Sequence, residues 1–150
     1  MSKLISLAVF ILITLGVGLM IGFVTMPAEW YAALNKPWFT PPNWLFGPAW
    51  SILYVMIAVA GWRCWLRDRR GLAMKLWLIQ MLLNFSWSPL FFGAQQPALA
   101  LVIIVAMVAT TFAFIAATWK RDQITALLFV PYAAWTSFAT LLNATIVMMN

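Results

Sequence analysis

Long runs without a single charge constrain this chain more than any other feature. Residues 4–26, 44–62, 76–92, 98–119 and 124–149 contain no Asp, Glu, Lys or Arg. A helix needs roughly 20 apolar residues to cross a hydrocarbon layer of about 30 Å. Backbone inside that layer must satisfy its own hydrogen bonds, which leaves helices and closed barrels as the spanning structures. Barrel strands alternate apolar and polar residues over about ten positions, and none of the five runs does so. The sequence therefore predicts an all-α integral membrane bundle of five transmembrane helices, a single domain over 1–150. Composition supports this, with 65% hydrophobic and only 8% charged residues; soluble domains carry about 25% charged residues.

The first run follows Lys3, as a signal peptide would. Its length exceeds the usual apolar region of about 7–15 residues, and no small-x-small cleavage site precedes Pro27, so it reads as a span. Basic residues orient the bundle. Lys3, Arg63, Arg67, Arg69, Arg70, Lys75, Lys120 and Arg121 fall on one side of a five-span topology, and only Lys36 on the other. The expected topology has the N-terminus on the basic inner side and the C-terminus opposite. The net charge of +6 is then a topology signal. Cations beside anionic headgroups account for the 67–70 cluster without nucleic acid as a partner.

Three connections are short, and the one between the first two spans is long. It reads PAEWYAALNKPWFTPPN over residues 27–43. Pro37, Pro41 and Pro42 block a continuous helix there, although residues 29–34 suit a short one. Trp30, Tyr31, Trp38 and Phe39 make the segment rigid and aromatic. It is either a lid packed over the bundle mouth or an interfacial aromatic anchor.

Several chemistries are excluded by what is missing. Histidine is absent and Cys64 stands alone, so neither a disulfide framework nor a His/Cys zinc site is available. No metal and no obligatory cofactor is expected. Glu29, Asp68 and Asp122 are far apart in sequence, which disfavours paired-carboxylate catalysis. No ionisable acid lies in a span and no inverted repeat is visible, which disfavours an ion-coupled carrier.

Polar residues inside the spans need partners or a purpose. Gln80, Asn84, Trp87 and Ser88 share one face of the third span, and Tyr132, Trp135, Ala139, Leu142 and Asn143 share one face of the fifth. Trp50 and Tyr54 lie one turn apart in the second. The fourth span, with Leu101, Val102, Ile104, Val105 and Val108, reads as largely lipid-facing. Spans two, three and five are thus expected to face one another. Their stripes are either interhelical glue or the aromatic walls of a small-molecule pocket with a few polar anchors, one suited to a flat apolar guest. Gly18 and Gly22 form a GxxxG pair, for close packing in the bundle or for a dimer.

Three strings carry a resemblance across essentially the whole chain. They are WYAALNKPWFTPPNWLFGPAWSILY (30–54), QMLLNFSWSPLFFG (80–93) and PYAAWTSFATLLN (131–143). In order and spacing they resemble the tryptophan-rich translocator family TspO/MBR, also known as the peripheral-type benzodiazepine receptor family. The resemblance implies a five-helix bundle that binds porphyrins such as protoporphyrin IX or haem, and related flat hydrophobic molecules. The porphyrin would be a ligand of transport or sensing and no resident cofactor, and the protein a homodimer. It further implies a cavity beneath the first loop, formed by spans one, two, three and five. Carried over by motif, its lining is Tyr31, Trp38, Pro41, Phe46, Trp50, Asn84, Trp87, Trp135, Ala139 and Leu142. The alternative activity it implies is oxidative or light-driven degradation of the bound porphyrin through pocket tryptophans. Lys36, the one cation on the outer side, is a candidate counter-ion for propionates. The tail LLNATIVMMN (141–150) lacks the Tyr and basic residue of the sterol pattern in animal members, which puts sterol binding in doubt and, within the resemblance, implies a bacterial-type member in a bacterial membrane.

Overall fold

Each charge-free run becomes helix in the computed structural model, which describes residues 2–150. In chain order the helices are α1 (Lys3–Val24), α2 (Glu29–Ala33), α3 (Asn43–Arg67), α4 (Leu72–Ser88), α5 (Pro97–Thr118) and α6 (Gln123–Met149). Four of them, α1, α3, α5 and α6, are long and apolar enough to cross a membrane. The expected third span is divided. α4 stops after 17 residues and a π-helical turn, Pro89–Gly93, extends it. Pro89 has no N–H for the carbonyl four residues back. The coil widens there, and Ala94 N–H reaches back five residues to Pro89 O at 2.7 Å. Such π turns adapt a helix where side chains must be re-aimed. Pro48 and Pro131 lie inside α3 and α6 without ending either.

Side-chain bonds pin the two ends of the bundle. At the basic end, Arg63 Nη2 meets Asp122 Oδ1 at 2.9 Å, tying the last turns of α3 to the α5–α6 turn. Arg67 adds a bond to the Arg121 carbonyl. Trp62 Nε1 donates to Ser6 Oγ at 3.0 Å and brings in the start of α1. Asp122 also caps α6 through Thr125, so one carboxylate serves a helix N-terminus and an arginine. At the other end, Asn35 and Asn150 exchange bonds: Asn35 N–H donates to Asn150 Oδ1 at 3.1 Å, and Asn150 Nδ2 to Asn35 O at 2.9 Å. Arg63, Arg67 and Arg121 thus meet at the basic end of the bundle.

Packing within the bundle runs α1 on α3, α3 on α6, and α5 on both α4 and α6. Gly18 resolves half of the GxxxG question, because a Cβ there would overlap the Tyr54 ring. Gly61 admits Trp77 in the same way, and the indole N–H then reaches Ile57 O at 2.9 Å. Gly22 meets nothing within 4 Å. One expectation is corrected in α5. Val102 and Val105 are exposed, but Ile104 is fully buried, on a face with Ala100, Met107, Thr111, Phe114 and Thr118. Thr111 and Thr118 sit there because each hydroxyl donates to the carbonyl four residues back, at 2.8 Å, which removes the cost of an unpaired donor.

Candidate functional site

The three polar stripes meet, and they meet as a directed chain of hydrogen bonds. Tyr54 OH donates to Asn84 Oδ1 at 2.9 Å, and Asn84 Nδ2 donates to Tyr132 OH at 2.7 Å. Tyr132 OH passes its own proton to Gln80 Oε1 at 2.8 Å, and Gln80 Nε2 donates to Trp77 O at 2.9 Å. A second link joins Trp87 Nε1 to Asn143 Oδ1 at 3.0 Å, while Asn143 Nδ2 holds Pro97 O at 2.9 Å. All of this lies among buried side chains, where an unpaired polar group is costly. The glue reading of the stripes is thus correct for Gln80, Asn84, Tyr132 and Asn143.

A cavity of about 520 Å³ coexists with that glue. It opens between the C-terminal half of α1 and the N-terminal half of α3, with α4 as its floor. Gly18, Gly22 and Thr25 line it from α1, Phe46, Gly47, Trp50 and Tyr54 from α3, and Asn84, Trp87 and Ser88 from α4. Phe92 of the π turn closes one corner. No Asp, Glu, Lys or Arg is among its lining residues. Glycines at 22 and 47 leave open space where side chains would otherwise project.

A separate void of only about 20 Å³ lies behind that cavity, with walls that include Tyr31, Trp135, Ala139 and Leu142. Phe46, Trp50, Trp87 and Phe92 border both spaces. They form a partition of rings: Trp50 stands perpendicular to Trp135 with centroids 6.4 Å apart, and Phe46 lies 6.1 Å from Trp135. Trp87 stacks on Phe91 at 5.2 Å. The Trp135 indole N–H is buried with no acceptor among the described residues.

The residues expected to line one cavity are therefore distributed over two. Phe46, Trp50 and Trp87 stand between the spaces, Asn84 faces the large one, and Tyr31, Trp135, Ala139 and Leu142 face the small one. Trp38 and Pro41 line neither. Trp38 is 94% exposed and touches Phe39 edge-on, which matches an interfacial ring better than a pocket wall. Tyr31 is buried against Phe91 and Phe92 beneath α2, and that burial raises its phenol above the ordinary value, keeping it neutral. Lys36 is already engaged. Its ammonium donates to the Tyr31, Ala32 and Leu34 carbonyls at 2.8, 3.3 and 3.3 Å and lies 4.7 Å over the Tyr31 ring. It fastens the end of α2 and is not free to pair with a ligand.

Gly22, Thr25, Asn43, Trp44 and Phe92 line the large cavity without having been singled out from sequence as lining residues. Thr25 carried one signal, a hydroxyl near the end of a run whose other hydroxyl residues are Ser6 and Thr14. The glycines carried none, since open space beside a helix leaves no trace in composition.

Residues 10–149 match the family model described as the TspO/MBR family. The chain is 39% identical to the tryptophan-rich protein TspO of Archaeoglobus fulgidus, over 99% of each chain. It is 37% identical to the tryptophan-rich sensory protein of Cereibacter sphaeroides, over 86% of this chain and 82% of that one. Similarity extends to the human translocator protein, 34% identical over 77% of this chain and 71% of the relative.

Proposed function

The chain belongs to the TspO/MBR family, and from that premise we propose that this integral membrane protein is a receptor or translocator for flat, largely apolar molecules, porphyrins such as protoporphyrin IX first among them. One observation carries the proposal. A space of about 520 Å³, walled by Trp50 and Trp87 and free of charged side chains, opens within the bundle. Small-molecule sites typically enclose roughly 300–1,000 Å³ and pair apolar walls with a few polar anchors. Indole faces suit a planar guest, since offset stacking adds to the area buried. Rotation of the Phe46 and Trp50 rings would join this space to the void at Trp135, whose unpaired N–H then gains an acceptor from the guest. In the bilayer, α4 with its π turn serves as the fifth crossing, and the basic turns mark the inner side.

Titrating the protein in lipid nanodiscs with protoporphyrin IX tests this. Tryptophan fluorescence is expected to quench saturably, and Trp50→Leu and Trp87→Leu each to weaken binding at least fivefold. Quenching that fails to saturate below high micromolar porphyrin refutes the proposal.

A second reading, light-driven oxidation of the bound guest with dissolved dioxygen as the electron acceptor, is favoured by the run of redox-active rings beside the cavity. Trp50 lies 5.5 Å from Tyr54 and 6.4 Å from both Tyr132 and Trp135. Porphyrin absorbance under illumination separates the two readings. Decay that protein accelerates, and that Trp50→Phe and Trp135→Phe abolish, establishes chemistry beyond binding.

A further inference from the structure

Two hydroxyls on the cavity wall have their protons fixed in one direction. Thr25 Oγ1 lies 2.7 Å from Ile21 O and 2.6 Å from Ser88 Oγ. A hydroxyl has one proton and two lone pairs. A carbonyl oxygen only accepts, so the Thr25 proton belongs to Ile21 O. The short contact between the hydroxyls is then attractive only if Ser88 donates to Thr25. Both protons are committed, and Ile21 O, which also accepts from Thr25 N–H at 2.9 Å, has both lone pairs occupied. What Ser88 still offers the cavity is a lone pair.

The other hydroxyl on the same helix is disposed differently. Ser86, two residues earlier, donates to the carbonyl four residues back, Leu82 O, at 2.7 Å. Ser88 makes no such bond, and among the described residues Thr25 is its only side-chain partner. Its neighbours on the wall are already engaged: Asn84 with Tyr54 and Tyr132, and Trp87 with Asn143.

We infer that Ser88 gives the large cavity a preference, between apolar guests of like shape, for one that presents an N–H or O–H donor to it. The inference rests on the cavity being the ligand site proposed above. Ether, ketone or ionised carboxylate oxygens placed against Ser88 would meet a lone pair and gain nothing. A guest bearing ionised carboxylates is accordingly turned with that edge away from the Thr25–Ser88 pair. The two hydroxyls thus bias ligand choice and orientation together.

Carbazole and dibenzofuran test this, because they share shape and differ in one position, N–H against ring oxygen. Binding of each to the protein in nanodiscs is measured by titration calorimetry, with empty nanodiscs subtracted. Carbazole is expected to bind roughly tenfold more tightly, the effect of one net hydrogen bond in a shielded site. In Thr25→Val/Ser88→Ala, dibenzofuran affinity should stay within about twofold while carbazole falls to match it. Ser88→Ala alone keeps the Thr25 bond to Ile21 and should cut the preference at least threefold; it decides the matter if the double variant does not fold. Equal binding of the two probes to the wild-type protein overturns the inference, as does a preference that survives both substitutions. Failure of the wild-type protein to bind either probe refutes the ligand-site reading itself.

Discussion

The hydrogen-bond chain through Tyr54, Asn84, Tyr132 and Gln80 has a direction, and its two tyrosines should differ in cost when each loses its hydroxyl. Tyr54 stands at the donor end. Tyr54→Phe removes one proton donor and leaves Asn84 Oδ1, a carbonyl oxygen, short of one partner. Under-satisfied acceptors are tolerated better than orphaned donors, so the expected loss is about 0.5 kcal/mol. Tyr132 stands in the middle. Tyr132→Phe strands the Asn84 Nδ2 donor and the Gln80 Oε1 acceptor at once, with both amides almost completely buried. Leaving a buried polar group unpaired costs about 1–3 kcal/mol. Hydrogen bonds between membrane helices reach only about 1.7 kcal/mol in double-mutant cycles, because polar groups find other partners in the unfolded state. The expected loss for Tyr132→Phe is therefore about 1.5 kcal/mol, threefold that of Tyr54→Phe. Reversible unfolding in mixed bicelles by added SDS measures both. Equal losses, or a larger loss for Tyr54→Phe, would show that the protons do not run from Tyr54 towards Gln80.

Gly18→Ala should destabilise by about 1–3 kcal/mol, because its Cβ overlaps the Tyr54 ring, whereas Gly22→Ala should be neutral and Gly22→Leu should block ligand binding without loss of thermal stability. Parallel melting and porphyrin titrations check all three, and a destabilised Gly22→Ala would contradict the open space beside it. Asp122 should make stability depend on acid. Arg63 and the Thr125 bonds hold its carboxyl at about 2, below its ordinary 3.8, so folding favours the ionised form. That contribution is fully present above about pH 4 and fades as pH falls through 2. The shift corresponds to roughly 2 kcal/mol before solvent screening and about 1 after it. Asp122→Asn should lose this increment at pH 7 and flatten the apparent melting temperature between pH 4 and 2, and an unchanged acid profile would remove the ion pair from the stability argument.

Span positions were legible in the sequence because the absence of charge over a whole run has few physical explanations. The meeting of Tyr54, Asn84 and Tyr132 was legible for a related reason: a polar residue in lipid must face a partner, so its position reports the phase of its helix. α5 shows the converse. Both its faces are apolar, and nothing in the sequence distinguished buried Ile104 from exposed Val105. The break at Pro89 was visible as a proline, but the choice of a π turn over a kink depends on how Phe91 and Phe92 pack beneath Tyr31, which is tertiary information. Of the ten residues carried over by motif, eight border one space or the other while Trp38 and Pro41 border neither, and the division between two spaces was not legible. It arises because Phe46 and Trp50 rest against Trp135, and a ring's rotamer is set by neighbours far away in sequence.

Where polar groups are left over also separates scaffold from site. Thr111, Thr118 and Thr136 donate to carbonyls of their own helices, and the chain from Tyr54 through Asn84, Tyr132 and Gln80 ends on the Trp77 carbonyl, so these groups are spent largely within the bundle. Among the groups that remain open where the cavities lie are the Trp135 indole N–H, with no acceptor, and the Ser88 oxygen, with its proton already given to Thr25. Thr14 is also buried without a partner, but it lines neither space and the structure supplies no reason for it. The Trp135 and Ser88 groups are opposite in sign, a donor behind the ring partition and an acceptor in front of it. A guest that satisfies both must carry a donor on one edge and an acceptor on another, separated by an apolar plane that displaces the rings of Phe46 and Trp50. A molecule with only one of these features leaves the partition closed or one group unpaired. On the ligand-site reading proposed above, this arrangement would favour a pattern of polar edges on a flat body, a stricter requirement than hydrophobicity alone.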